Sequence, residues 1–161
     1  MSDDALRSGI SRALSRLPSG LFVLTAGTGA EATGMLASWA QQMGFEPPTI
    51  VVALKKGRPI ETLVRTHGAF CLASIDERSK SLMGHFARGF EPGQPAFTGI
   101  ETAIAQNGIP YPVAALGHLA CCVKGVAADW TDHVVVCGEV IGGDARLDAP
   151  MVHVRKNGFS Y

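Results

Sequence analysis

Apolar side chains recur at Leu6, Ile10, Leu14 and Leu17 with the spacing of one helical face, and Arg7, Arg12 and Arg16 are left for the wet side. Residues 3–17 are therefore expected to form an amphipathic helix. Ser2 is positioned to cap it, and Pro18 and Gly20 to end it. Beyond that point the apolar positions crowd into short runs. Residues 21–26 read as a buried strand, Gly27-Thr28-Gly29 as a hairpin turn and residues 33–40 as a second strand. Residues 41–46 read as a polar loop, and Pro47-Pro48 introduces a strongly apolar strand over 49–54. Helical spacing returns over 59–66 through Ile60, Leu63 and Val64, a strand follows over 70–75, and a short helix over 79–86. From Gly89 to Pro112 repeated Gly and Pro mark a long irregular excursion, expected as a surface loop or an interface arm. Strong strands over 116–123 and 134–140 and a weak one over 151–154 close the chain. Strands this close in sequence favour antiparallel pairing, and six or seven of them with peripheral helices suit a small closed β-barrel, which leaves no exposed strand edge.

Composition narrows the class. The chain has 161 residues, the size of one domain, expected to span 1–161, and 47% of them are apolar against 17% charged. Nineteen Gly and nine Pro are more than a helical bundle tolerates. Fourteen basic residues balance fourteen acidic ones, so no overall field draws the chain to nucleic acid or anionic lipid, and any anion site must be local. The N-terminus lacks the basic start and apolar stretch of a signal peptide, and the most apolar window, 113–123, is interrupted by Gly117 and His118 and falls short of the ~20 residues that cross a bilayer. The expectation is a cytoplasmic protein without a membrane partner. Cys71, Cys121, Cys122 and Cys137 lie in apolar runs without metal-pair spacing and read as reduced core thiols.

Two stretches carry candidate chemistry. In Thr33-Gly34-Met35-Leu36-Ala37-Ser38-Trp39-Ala40-Gln41-Gln42 the small residues Gly34, Ala37, Ser38 and Ala40 leave peptide groups open to a flat heteroaromatic ring such as a flavin, or else they fit a tight barrel corner. In Lys55-Lys56-Gly57-Arg58-Pro59 three cations gather where a strand ends and a helix begins, with Pro59 suited to the first turn and no side-chain cap before it. That is a phosphate site in outline, or a solvated cationic turn. Together the two stretches could hold opposite ends of one mononucleotide. Gly27-Thr28-Gly29 lacks the further residues of either phosphate-loop motif. The five histidines form no metal-binding spacing; His67 and His85 fall near helix C-termini, His118 lies within an apolar strand, and Asp132-His133 opens a strand just after Trp130-Thr131, where a polar side chain can reach a barrel mouth. No nucleophile elbow is present.

These pieces resemble the flavin reductase-like family of FMN-binding split barrels, and in particular the reductase module of cyanobacterial diflavin flavodiiron proteins. The likeness runs through Met35-Leu36-Ala37-Ser38-Trp39, Phe45-Glu46-Pro47-Pro48, Val52-Ala53 with Lys55 and Arg58, His85-Phe86, Pro92-Gly93, Phe97-Thr98-Gly99, Asn107-Gly108, Ala115-Leu116, Asp132-His133 and His153-Val154-Arg155-Lys156-Asn157-Gly158 up to Tyr161, over roughly residues 10–161. It implies a mainly β Greek-key split barrel that dimerises and holds FMN, with FAD as an alternative, near the subunit interface. Met35, Leu36, Ala37, Ser38, Trp39, Ala40 and Gln41 would then face the isoalloxazine and ribityl chain, with Ser38 as a polar contact. The turn Lys55, Lys56, Gly57 and Arg58 would lie by the phosphate. His133 matches the histidine of a Gly-Asp-His motif associated with nicotinamide, with Thr131 in place of the glycine. The implied activity is hydride transfer from NADH or NADPH to the flavin and electron transfer on to free flavin or a partner protein; the alternative is a flavoredoxin-like FMN carrier without nicotinamide turnover. No metallo-lactamase-like or flavodoxin-like module stands in this sequence, so the acceptor is expected to be a separate molecule.

Overall fold

The computed structural model describes residues 3–127 and 130–160. The N-terminal helix forms as α1 (Asp3–Leu14), and its expected cap, Ser2, lies outside the described residues. The apolar stripe is present but uncovered: no residue of α1 is buried, and Leu6 and Ile10 are 48% and 43% exposed. Then follow β1 (Ser19–Gly20), β2 (Phe22–Ala26), β3 (Thr33–Ala37), β4 (Ala40–Phe45), β5 (Pro48–Lys55), α2 (Pro59–His67), β6 (Ala69–Ser74), α3 (Ser81–Phe86), β7 (Thr102–Ile104), β8 (Pro110–Pro112), β9 (Gly117–Ala127), β10 (His133–Ala145) and β11 (Val152–His153). No helix among the described residues is long and apolar enough to cross a membrane.

Seven strands make one antiparallel sheet in the order β3-β2-β6-β9-β10-β5-β4. Its two edge strands, β3 and β4, are separated in sequence by Ser38 and Trp39 alone. Three residue steps span at most about 11 Å, whereas the edges of a flat seven-stranded sheet would stand about 29 Å apart at ~4.8 Å per strand. The sheet must therefore curl until its edges approach each other at that two-residue corner, but β3 and β4 do not pair, so the protein is mainly β, a split barrel that keeps two free strand edges where the sequence led us to expect a closed one. Leu24, Val52, Phe70, Leu72, Val134 and Val136 fill the interior, and Ile60 and Val64 of α2 plug it. Phe70 reaches across to β10, where a Cβ on Gly138 would come within 2.7 Å of its ring. Gly138 is thus dictated by a neighbouring aromatic ring.

Two further expectations need correction. The strand expected over 33–40 stops at Ala37, and most of the loop expected over 41–46 is strand: Ala40–Phe45 form β4, paired with β5 from Ala40↔Val52 to Phe45↔Pro48. No residue of this edge strand is buried, so it lacks the apolar alternation of a strand with one packed face; its polar residues hide it, and Phe45 is left 87% exposed. The Gly- and Pro-rich excursion is not loose either. It contains the β7–β8 hairpin, lays Ala105 and Ile109 on Cys71 and Ala120 of the barrel's outer face, and is tied down by Asn107, whose Nδ2 donates to the carbonyls of Phe70 (2.8 Å) and Cys121 (3.1 Å).

Candidate functional site

A cleft of about 370 Å³, within the range of cofactor sites of ~300–1,000 Å³, opens beside the closing corner. All residues from Thr33 to Trp39 line it. Side chains of successive strand residues point to opposite faces, so an unbroken run of lining residues means that the cleft follows the free edge of β3, where unpaired peptide groups are offered to a ligand. Thr33 adds a buried hydroxyl without a hydrogen-bond partner among the described residues. Ala53 and Lys55 of β5 and Arg58, Pro59 and Ile60 at the start of α2 form a second wall.

Gly57 carries the chain from β5 into α2 at φ +77°, a conformation that favours glycine. No side chain caps the helix, as expected, but the N–H groups of Glu61 and Thr62 both turn back to the Arg58 carbonyl at 3.0 and 3.4 Å. The side chains of Lys55 and Arg58 therefore carry more of any anion binding here than the helix amides.

The third wall is the segment after α3, Ala87 to Glu91, which the sequence reading did not place at the site. Its support is an aromatic cluster: Phe86 meets Phe90 and Phe97 edge-on at 5.9 and 6.0 Å, and His85 Nε2 lies 2.7 Å from the Ala96 carbonyl. The close approach of Phe86 explains Gly34, where a Cβ would stand 2.8 Å from that ring. His153 of β11 completes the lining. Recurrent aromatics at 86, 90 and 97 were the available signal for this wall, and their pairing depends on contacts between separate turns.

The sequence-predicted residues divide. Met35, Leu36, Ala37, Ser38, Trp39, Lys55 and Arg58 share the cleft. Ala40 and Gln41 instead line a second depression of about 300 Å³, walled by Phe22, Ile50, Leu72, Leu119 and Val140. Lys56 and Gly57 lie in the turn outside both linings, and the Lys56 N–H donates to the Asp132 carbonyl at 3.0 Å. His133 opens β10 as expected and pairs in register with Lys55. It is only 8% exposed, its ring centroid lies 4.8 Å from that of Trp39, and its Nδ1 is 2.8 Å from Asp132 Oδ1. That hydrogen bond, with Lys55 nearby, holds the Asp132 carboxyl below the usual carboxylate range. His133 thus reaches the cleft through the Trp39 indole. The four cysteines are free thiols, and burial pushes Cys71 and Cys121 up to about 12, which removes them as nucleophiles.

Residues 14–160 match the family described as "Flavin reductase like domain". Diflavin flavoprotein A 1 of Synechocystis sp. is 36% identical over 160 residues, covering 98% of this chain and 28% of its own length. The chain thus spans little more than a quarter of that curated relative. Among solved structures, the NADH:FAD oxidoreductase SgcE6 of Streptomyces globisporus, in complex with NAD and FAD fragments, superposes with a TM-score of 0.81 at 21% identity over 96% of this chain and 92% of that one. Flavoredoxin from Methanosarcina acetivorans superposes with a TM-score of 0.69 at 17% identity over 81% of this chain and 70% of its own.

Proposed function

The chain belongs to the flavin reductase-like domain family, and on that premise we propose that it is an FMN-binding flavin oxidoreductase, taking hydride from NADH or NADPH and passing electrons to free flavin or a partner protein, as a cytoplasmic homodimer. The observation that carries this reading is a single cleft bounded by the free edge of residues 33–39 and by Lys55 and Arg58. The fit to a flavin mononucleotide rests on three features. Peptide groups along an edge strand suit the hydrogen-bonding rim of a flat ring. The buried Thr33 hydroxyl lacks a protein partner. Two cations on an otherwise apolar wall suit a phosphate.

The bound flavin would supply the hydride and electron chemistry, and the protein supplies position and electrostatics. Lys55 and Arg58 would anchor the phosphate and so fix how far the ring runs along β3. Met35 and Trp39 would exclude water from its surface, and the backbone donors of residues 35–38 would offset negative charge developing on the ring. Ala87 to Glu91, held by the aromatic cluster, bounds the space in which a nicotinamide must lie for the rings to meet.

One observation favours a second reading, an FMN electron carrier like flavoredoxin: His133, the counterpart of a nicotinamide-associated histidine, is buried behind Trp39 and tied to Asp132. Anaerobic titration of the FMN-loaded protein with NADH and with NADPH separates the two. Bleaching of the flavin absorbance within the turnover time supports the reductase. Saturable FMN binding without bleaching by either nucleotide supports the carrier, and absence of saturable FMN binding ends both readings.

A further inference from the structure

The two arginines near the C-terminal strap are treated very differently. Arg146 is saturated: Nη1 donates to the Ala115 carbonyl at 2.7 Å and Nη2 to the buried Asp76 carboxylate at 2.7 Å. Arg155, two residues beyond β11, is not. Its guanidinium carbon stands 4.8 Å from the centroid of the Trp39 ring, and Nε and Nη1 are buried with no hydrogen-bond partner among the described residues. No described carboxylate lies within ion-pair distance of it. Burying cationic donors without an acceptor is strongly unfavourable, and stacking on an indole offsets only part of that cost. The side chain as a whole is only half-buried, and His153, two residues back, lines the cleft.

The Trp39 indole on which Arg155 rests also lines the cleft and touches His133 with its ring. Arg155 is therefore joined through one side chain to the place where the second substrate must enter. The flavin phosphate already has Lys55 and Arg58. A planar fork with unpaired donors suits two phosphate oxygens at once. We propose that Arg155 receives a phosphate of the nicotinamide dinucleotide, holding that co-substrate against Trp39. This rests on the reductase reading of the same cleft.

The test uses the FMN-loaded full chain as wild type, Arg155→Lys and Arg155→Gln. Calorimetry measures binding of ADP-ribose and of 2′-phospho-ADP-ribose, which carry the phosphates without the nicotinamide. Fluorescence titration measures FMN binding in the same preparations, and light scattering the oligomeric state. Arg155→Gln should weaken binding of at least one of the two probes roughly tenfold or more, with Arg155→Lys between it and wild type and FMN binding unchanged. Equal losses for both probes assign the pyrophosphate; a loss confined to 2′-phospho-ADP-ribose assigns the 2′-phosphate. In turnover the loss should fall on KM for the nucleotide and spare kcat. Unchanged binding of both probes overturns the proposal. So does an equal loss of FMN affinity, which would move Arg155 to the flavin end, or a change in oligomeric state, which would make its acceptor a carboxylate of a second copy. Should Arg155→Gln not fold, the Lys variant alone must show the intermediate loss. Absence of FMN binding in the wild type would defeat the reductase reading separately, and binding of the affected probe to that protein would still be weakened in the variants.

Discussion

The two hollows beside the closing corner are nearly equal in size, about 370 and 300 Å³, and they are lined by consecutive stretches of one chain segment. Residues 33–39 face one and residues 40–42 the other. Their chemistry is opposite. The larger has Lys55, Arg58 and Arg88 in its lining, an unpartnered Thr33 hydroxyl and a strand's free edge. The smaller is the mouth of the barrel core, where Phe22, Ile50, Leu72, Leu119 and Val140 meet the polar edge of β4. Volume does not distinguish a binding site from an incompletely closed core. Charge and unspent hydrogen-bonding capacity do, because a buried hydroxyl without a partner costs free energy that a ligand can relieve, and the exposed Lys55 and Arg58 side chains stand free to meet an anion.

The largest expected effect breaks the contrast at its charged end. Lys55→Gln and Arg58→Gln should each weaken FMN binding roughly tenfold to a hundredfold, since charge-assisted hydrogen bonds are worth about 1.5–3 kcal/mol each, while the thermal midpoint of the apo-protein stays nearly fixed because exposed substitutions shift stability by less than about 0.5 kcal/mol. Equal losses in binding and stability would make the turn a structural element. Gly138→Ala should do the reverse. Its Cβ would overlap the Phe70 ring, an overpacking that costs about 1–3 kcal/mol, readable in denaturant unfolding, and FMN affinity of the folded fraction should not change.

A third test concerns the scaffold alone. Asp76 accepts hydrogen bonds from the Ser79 hydroxyl (2.6 Å) and amide (2.8 Å) and from Arg146, which together hold its carboxyl at about 2. A carboxyl held below its unfolded value contributes stability that is fully present above that value, about 4, and lost as pH falls toward 2. Acid unfolding followed by circular dichroism should therefore steepen between about pH 4 and 2, and Asp76→Asn should be less stable at neutral pH and flatter in that window. The smallest effect sharpens the division between the hollows: Gln41→Ala, in the second hollow, should change FMN affinity by less than about twofold, under ~0.5 kcal/mol. A loss as large as that from Lys55 and Arg58 would extend the site around the corner.

Much of this was legible in the chain. The strands over 21–26, 49–54, 70–75, 116–123 and 134–140 are apolar because they are buried, and burial writes itself into composition. The strip from Met35 to Trp39 and the cations Lys55 and Arg58 were legible for a related reason, since small residues and clustered charge violate what a plain strand and turn require. What escaped was set by contacts distant in sequence. Gln41-Gln42 looked like a loop because β4 is an edge strand in which no residue is buried. The wall at Ala87 to Glu91 depends on Phe86, Phe90 and Phe97 meeting across turns. His133 read as a side chain for a barrel mouth, and only the folded chain puts Trp39 in front of it. The uncovered stripe of α1 shows the converse, that helical periodicity specifies a face without specifying what covers it.

The central claim is that one mononucleotide lies in the larger hollow with its ring along residues 35–39 and its phosphate at Lys55 and Arg58. A crystal structure of the protein with FMN tests it most directly. The account predicts density in that cleft, phosphate oxygens within hydrogen-bonding distance of both cations, and a ring-edge contact with the β3 backbone or the Thr33 hydroxyl. FMN seated in the hollow of Gln41 and Ile50, or with its phosphate turned away from Arg58, would contradict it.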